Sequence, residues 1–448
     1  MAVEGQTKEQ KERSAVVKRA RQSQWPAIPM DEALKAIETL ARKFQPESKC
    51  FPVAALQPGR VLAEQIFAPE DVPRTRTSIK DGYAVIASDG AGKREVIGFS
   101  TAGGPSNQTL KPGQCIRVST GGVIPAGADA VVQVEDTELL KDDGENELVI
   151  KILKAPSVSQ DIREKGSDVK LGSLLLDVGC EMGSAEIGLL NAFGIQHVEI
   201  YRKPRVCVLS TGNELVEPYM PQVPLGHIRD SNRSQLLALF RGQNFKAIDA
   251  GIALDKVETL EYAISVASQF ASVIVTSGGV SMGEKDHLKE VLQDRLNLKI
   301  QFGRVWMKPG LPCTVAHGSI ADREVVVFAL PGNPVSSWVC AHLFVSPLLR
   351  FSAGLSRLHA TKIRVKAAEE IKLSPRPEYC RAWIDMEKGG DLPVATLTGN
   401  QISSRLMSLV GAQVLLILPQ KGQISDGSKI KEKIEAGEIL DAIVVGPI

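Results

Sequence analysis

Between residues 203 and 350 four apolar runs recur: PRVCVLSTG (204–212), FKAIDAGIA (245–253), SVIVTSGGV (272–280) and EVVVFALPG (324–332). Between or after them lie the helical segments SNRSQLLALFRGQ (231–243), KVETLEYAISVASQF (256–270) and PVSSWVCAHLFVSPLLRF (334–351). Runs that stay Val/Ile-rich, instead of alternating apolar with polar, belong to strands buried on both faces. Such strands alternating with helices specify a three-layer α/β domain with a mostly parallel sheet. Ligands bind such sheets beyond the carboxyl ends of the strands.

All four ends are small, polar or acidic. Ser210-Thr211-Gly212-Asn213-Glu214 follow the first run and Leu254-Asp255 the second. The third leads into Ser277-Gly278-Gly279-Val280-Ser281-Met282-Gly283-Glu284-Lys285-Asp286, and the fourth into Pro331-Gly332-Asn333-Pro334-Val335-Ser336. Glycine permits close backbone approach, and the N–H groups at a helix start bind anions. Glu214, Asp255 and Asp286 then flank an anion site where carboxylates alone would repel a phosphate. A divalent cation resolves the conflict, because Mg2+ takes carboxylate and phosphate oxygens together. Lys308, in WMKPG (306–310), supplies a point charge for an oxyanion. Neither GxGxxG nor GxxxxGK[ST] occurs, which excludes the standard dinucleotide and P-loop readings. A nucleotide- or phosphoester-binding cleft is the expectation.

Outside this region the rhythm changes. Residues 1–26 form a polar extension, expected to be disordered. Leu34, Ile37, Leu40, Ala41 and Phe44 follow helical spacing after Pro29. Residues 63–151 carry short β-branched runs broken by Gly and Pro, with DDGENE (142–147) as a turn between two strands. A helix is expected near 184–193, closed by Gly194, and the last hundred residues return to short strands. The 448 residues suggest about three domains at roughly 150 residues each.

Charge nearly cancels, 53 basic against 52 acidic side chains, so no net field favours nucleic acid. The most apolar stretch, 336–355, contains His342, Pro347 and Arg350, which argues against a membrane span. Seven cysteines lie at least 27 positions apart, which excludes CxxC motifs. With no signal-peptide pattern, reduced thiols and a cytoplasmic location are expected. Cys207 and Cys340 read as small core residues. No HExxH occurs among the six histidines, so a protein-only transition-metal site is not expected.

The ordered motifs SIKDGYAV (78–85), GADAVVQVEDTE (127–138), SAEIGLL (184–190), STGNELVEP (210–218), IRDSNRSQLLA (228–238), TSGGVSMGEKDHLK (276–289), FGRVWMKPGLP (302–312), LPGNPVSS (330–337) and TGNQISSRLM (398–407) resemble the molybdenum-inserting family of molybdenum-cofactor synthesis. That family includes bacterial MoeA, the plant E domain and the E domain of gephyrin, and the resemblance is strongest to the last. It covers about residues 27–448. It implies an elongated homodimer of four-part subunits: residues 27–62 with 152–202, a β-rich insertion 63–151, the α/β part 203–355, and a C-terminal β part 356–448. The 203–355 part is similar to the molybdopterin-adenylylating fold.

The implied reaction inserts molybdate at the dithiolene of adenylylated molybdopterin and releases AMP with Mg2+. By the same resemblance Asp286, Asp255 and Glu214 stand at the metal and phosphate end, as metal ligands and catalytic groups. Thr211, Gly212, Ser277, Gly278, Gly279, Ser281, Gly283, Pro331, Gly332, Asn333 and Pro334 would contact the ligand. Asp81 and Thr120 would reach the cleft from the partner subunit, and Asp168 would line it. Lys308, Ser336, Arg376, Arg381 and Ser403 would hold the pterin phosphate or molybdate. A molybdopterin-adenylylating protein is the expected substrate donor. The alternative is a catalytically weakened scaffold or regulatory protein that binds protein partners.

The chain departs from the family pattern in places. Leu311 stands where bacterial and plant members have a second Lys, as in the gephyrin type. Arg74-Thr75-Arg76-Thr77 replaces an aromatic-containing stretch, and Gly122-Val123 replaces Ala-Pro. SLVGAQ (408–413) replaces SMRSAN, which removes an Arg, a Ser and an Asn from the expected molybdate side.

Overall fold

The computed structural model describes residues 25–44, 46–280, 287–388, 390–422, 424–425 and 429–448. The expected disordered extension falls almost wholly outside them. By packing density the chain divides into two units, one of residues 50–58 and 62–199, the other of the remainder.

In the larger unit, helix α1 (Met30–Ala41) buries Ala33, Ile37, Leu40 and Ala41, the face that its apolar spacing marks out. The sheet is built from β1 (Arg205–Thr211), β2 (Lys246–Ala253), β3 (Val273–Ser277), β4 (Lys299–Phe302), β5 (Thr314–Ile320) and β6 (Arg323–Leu330). Its order is β2-β1-β3-β6-β5-β4, with the first four strands parallel and β5 and β4 antiparallel at one edge. Side chains alternate across it. Val206, Val208, Val273, Val275, Val326 and Phe328 face one apolar cluster with α1 and with α2 (Asn232–Gly242). Cys207, Leu209, Ile274, Val325 and Val327 face a second with α3 (Val257–Ser268). Three layers result, as continuous apolar strands require.

The run after β6 begins as α4 (Pro334–Cys340), widens by one turn at Ala341–Val345 and ends as α5 (Ser346–Ser352). Pro347 has no N–H to give to the carbonyl four residues back, and the wide turn lies beside it. Cys207 and Cys340 are buried, and burial pushes both thiols up, Cys207 to about 11. Beyond it β7 (Lys362–Ala367), β8 (Glu378–Asp385), β9 (Val394–Leu397), β10 (Val414–Leu418) and β11 (Ile439–Val444) close a barrel in the order β7-β9-β8-β10-β11.

The smaller unit holds a six-stranded mixed sheet, ordered Ala130–Gln133, Gly82–Val85, Gln114–Val118, Gly92–Ser100, Glu147–Ile152, Thr137–Asp142. The last two strands are joined through the expected 142–147 turn, where Asp143 Oδ1 accepts the N–H groups of Glu145 and Asn146. Those bonds hold the Asp143 carboxyl below the usual range. The expected helix spans Ser184–Ala192, and Gly194 follows it at φ 67°. Among the described residues no helix is long and apolar enough to cross a membrane.

Candidate functional site

The carboxyl ends of β1, β2, β3 and β6 open into a cleft of about 940 Å³. Thr211, Glu214, Asp255, Ser277, Gly278, Gly279, Pro331, Gly332, Asn333 and Pro334 all line it. These residues come from four strand ends spread over more than a hundred positions, and the parallel topology gathers them.

At two of these ends, after β1 and after β3, glycine is dictated by space. A Cβ on Gly278, which sits at φ 101°, would lie 2.3 Å from the Thr211 carbonyl oxygen. One on Gly279, at φ 70°, would lie 2.9 Å from Thr211 Oγ1. Gly212 leaves room for the Glu214 carboxylate, whose oxygens stand 2.8 Å from where its Cβ would be. The loops after β1 and β3 therefore pack backbone against backbone, and Glu214 folds over its own turn.

The loops are tied by a network that the strand-end reading did not single out. Asn232 lies in the first turn of α2, and its side-chain amide donates to Ser277 Oγ and to the Gly332 carbonyl, both at 2.7 Å. Asp230 is almost fully buried; its Oδ1 accepts the Ser210 hydroxyl at 2.9 Å and the Arg233 N–H at 3.1 Å. Arg233 pairs with Asp230 and Asp249 at 3.1 Å each, and with Glu217. Burial works against its charge, yet Glu217, Asp249 and Asp230 together keep the guanidinium above its ordinary range. Asp-Ser-Asn ahead of an apolar-periodic run is a helix-start signal, and that signal could have pointed to these residues.

A second cleft, of about 520 Å³, is lined by Lys308, Ser336, Arg376 and Ser403, and shares Pro312 and Asn333 with the first. Asn333 Nδ2 donates to Ser403 Oγ at 3.1 Å, and Val335 N–H donates to the Ser403 carbonyl at 3.1 Å, which docks the barrel loop on the start of α4. Arg376 Nη1 donates to the Met307 carbonyl at 2.9 Å. Burial lowers the Arg376 guanidinium from its usual value, against the pull of Glu378. Lys308 does not stand alone: its Nζ is 3.1 Å from Glu378.

Arg381 is placed differently. It is fully buried on β8, outside the lining of either cleft, with Nε and Nη2 donating to Ser408 Oγ at 3.3 and 3.0 Å. Ser281, Gly283 and Asp286 lie outside the described residues. In the smaller unit, Asp81 Oδ1 accepts the Thr120 N–H at 2.8 Å, and Asp168 is ion-paired with Arg163. Among the described residues no group of three or more His, Cys, Asp or Glu is placed to hold a metal. Glu214 and Asp255 are two oxygen donors on one cleft, the ligand type a hard cation takes.

Three family models match in order along the chain. They are the MoeA N-terminal region (domains I and II) at residues 28–194, the probable molybdopterin binding domain at 207–350, and the MoeA C-terminal region (domain IV) at 364–444. A molybdopterin molybdenumtransferase of Haemophilus influenzae is 33% identical over 90% of this chain and 97% of its own length. The chain belongs to the MoeA family of molybdenum-cofactor synthesis proteins. Gephyrin of Dictyostelium discoideum is 36% identical over 96% of this chain, and the Drosophila melanogaster molybdenum cofactor synthesis protein cinnamon is 36% identical over 95%. The chain spans 64% of that gephyrin's length and 67% of cinnamon's. Among solved structures, a molybdopterin biosynthesis MoeA protein of Pyrococcus horikoshii superposes with a TM-score of 0.75 at 29% identity, over 94% of this chain and 100% of that one. Within the MoeA frame most of the first cleft belongs to the probable molybdopterin binding domain, and Ser404 and Leu406 of the C-terminal region complete its wall.

Proposed function

We propose that this chain is a molybdopterin molybdotransferase, which takes adenylylated molybdopterin, inserts molybdate at the dithiolene and releases AMP. The observation that carries the reading is the convergence of Thr211, Glu214, Asp255, the Ser277-Gly278-Gly279 turn and Asn333 on one cleft. The glycine turn brings the backbone within reach of a phosphate, and the Asn232 amide fixes the gap between that turn and the Gly332 loop. Lys308, Arg376 and the Ser336 and Ser403 hydroxyls give the second cleft the donors that an oxyanion substrate needs.

Glu214 and Asp255, with Asp286 by family resemblance, would hold Mg2+. The ion supplies charge neutralisation at the phosphoanhydride. The reading takes the working unit as a cytoplasmic homodimer supplied by a molybdopterin-adenylylating protein.

One feature favours a second reading, a scaffold that binds protein partners. Val410, in the segment that replaces SMRSAN, and its neighbour Met407 are exposed at 64% and 71%. Incubation with adenylylated molybdopterin and Mg2+, followed by chromatography of AMP, separates the two. Turnover that is lost in Asp286→Ala, with unchanged folding, is the expected result. Tight ligand binding with no AMP overturns the transferase reading and turns attention to the Met407–Val410 surface.

A further inference from the structure

The ammonium that borders the second cleft is already paired. Lys308 Nζ stands 3.1 Å from each carboxylate oxygen of Glu378. The backbone fixes this: Lys308 N–H donates to the Pro377 carbonyl and Tyr379 N–H to the Lys308 carbonyl, both at 2.8 Å. The two residues thus sit side by side in a parallel bridge between the α/β layer and the barrel. Glu378 is buried, with 4% of its surface exposed, so its carboxylate has lost most of its hydration; the Lys308 ammonium is the cation paired with it, and the Arg381 guanidinium and Cys380 thiol also act on it. Arg376 borders the same cleft and feels the same carboxylate. Leu311 adds no charge there.

We infer that Glu378 is a specificity-determining residue of the second cleft: it competes with any incoming oxyanion for Lys308. A free tetrahedral dianion brings its charge against the buried carboxylate and is rejected. One that gains further anchors, from Arg376, the Ser336 and Ser403 hydroxyls and a tethering ligand in the first cleft, is retained. Lys308 is therefore kept compensated while the cleft is empty. The inference rests on the transferase reading only in naming molybdate as the anion.

The test is calorimetric titration of the full chain with sodium molybdate and, separately, sodium sulfate. Glu378→Gln keeps the side-chain shape, removes the charge and should tighten both anions by roughly tenfold or more, because a like charge no longer opposes them. The gain should vanish in the double variant E378Q/K308M. Binding in Glu378→Gln no tighter than wild type, or a gain that survives loss of Lys308, overturns the inference. Should Glu378→Gln fail to fold by thermal melting, Glu378→Asp, which draws the carboxylate back by one methylene, should show an intermediate gain, and no gain overturns it equally. AMP release measured in parallel keeps the two ideas apart. Tightening without AMP release sinks the transferase reading alone, and AMP release without tightening sinks this one alone.

Discussion

The two clefts share a wall at Pro312 and Asn333 but are built by different means. The first is made of strand ends. Its shape comes from glycines that let loops touch and from the Asn232 amide at the start of α2, which ties together loops 45 and 100 positions away. The second is made where the α/β layer meets the barrel, and its charges are paired across 70 positions of sequence, Lys308 with Glu378. Construction from the strand ends of one sheet leaves carboxylates lining the cleft, whereas construction between the sheet layer and the barrel compensates a cation before any ligand arrives.

The sharpest way to break the contrast is to attack the network behind the first cleft. Arg233→Met strands the buried Asp230 carboxylate, and should cost about 3–5 kcal/mol by urea unfolding. A cost near zero would mean that the first cleft does not depend on that network. Asp255→Asn comes next: AMP release should drop about 100-fold at unchanged melting temperature, on the scale seen when a metal site is disturbed. Loss of folding instead would make Asp255 a structural residue.

The helix that starts between the clefts offers a pH test. His342, buried against Trp338, is held down to about 4 by desolvation. Its folded value lies below its unfolded one, so the unfolded chain takes up the proton first. Stability is full above about pH 6.5 and falls as pH drops toward 4, by about 2 kcal/mol between pH 7 and 5. His342→Gln should flatten that part of the urea-midpoint profile, and an unchanged slope would assign it elsewhere. The smallest effect is expected from Asn232→Ala, about 1–2 kcal/mol, because Ser277 Oγ and the Gly332 carbonyl lose their shared donor. Its kinetic mark should be a raised KM with little change in kcat. A fall in kcat alone would place Asn232 in the chemistry, not in the spacing of the loops.

Much of the first cleft was legible because its cues are local. Each apolar run announces a buried strand, and the Gly, Ser, Asp or Glu behind it must then lie on one edge of the sheet. The antiparallel strands β4 and β5 were not legible. KIQF (299–302) is short and TVAHGSI (314–320) is interrupted by His317 and Gly318, so neither shows the continuous Val/Ile run of a central strand. Asn232 was visible as part of a helix start and of the IRDSNRSQLLA motif, with no sign that it ties the strand-end loops together. Glu378 carried no signal at all, since nothing near residue 378 says that a lysine 70 positions earlier will lie beside it. Arg381 shows the same limit: the family resemblance suggested a contact with the pterin phosphate or molybdate, while the barrel turns its side chain inward onto Ser408.

The central claim is that the two clefts serve one reaction, with the adenylate in the first and molybdate in the second. The most direct test is the rate of AMP release from adenylylated molybdopterin with Mg2+ across a molybdate titration, with mature cofactor assayed in the same samples. The account predicts that AMP and cofactor rise together with molybdate and saturate together. AMP release indifferent to molybdate, with no cofactor formed, would contradict it.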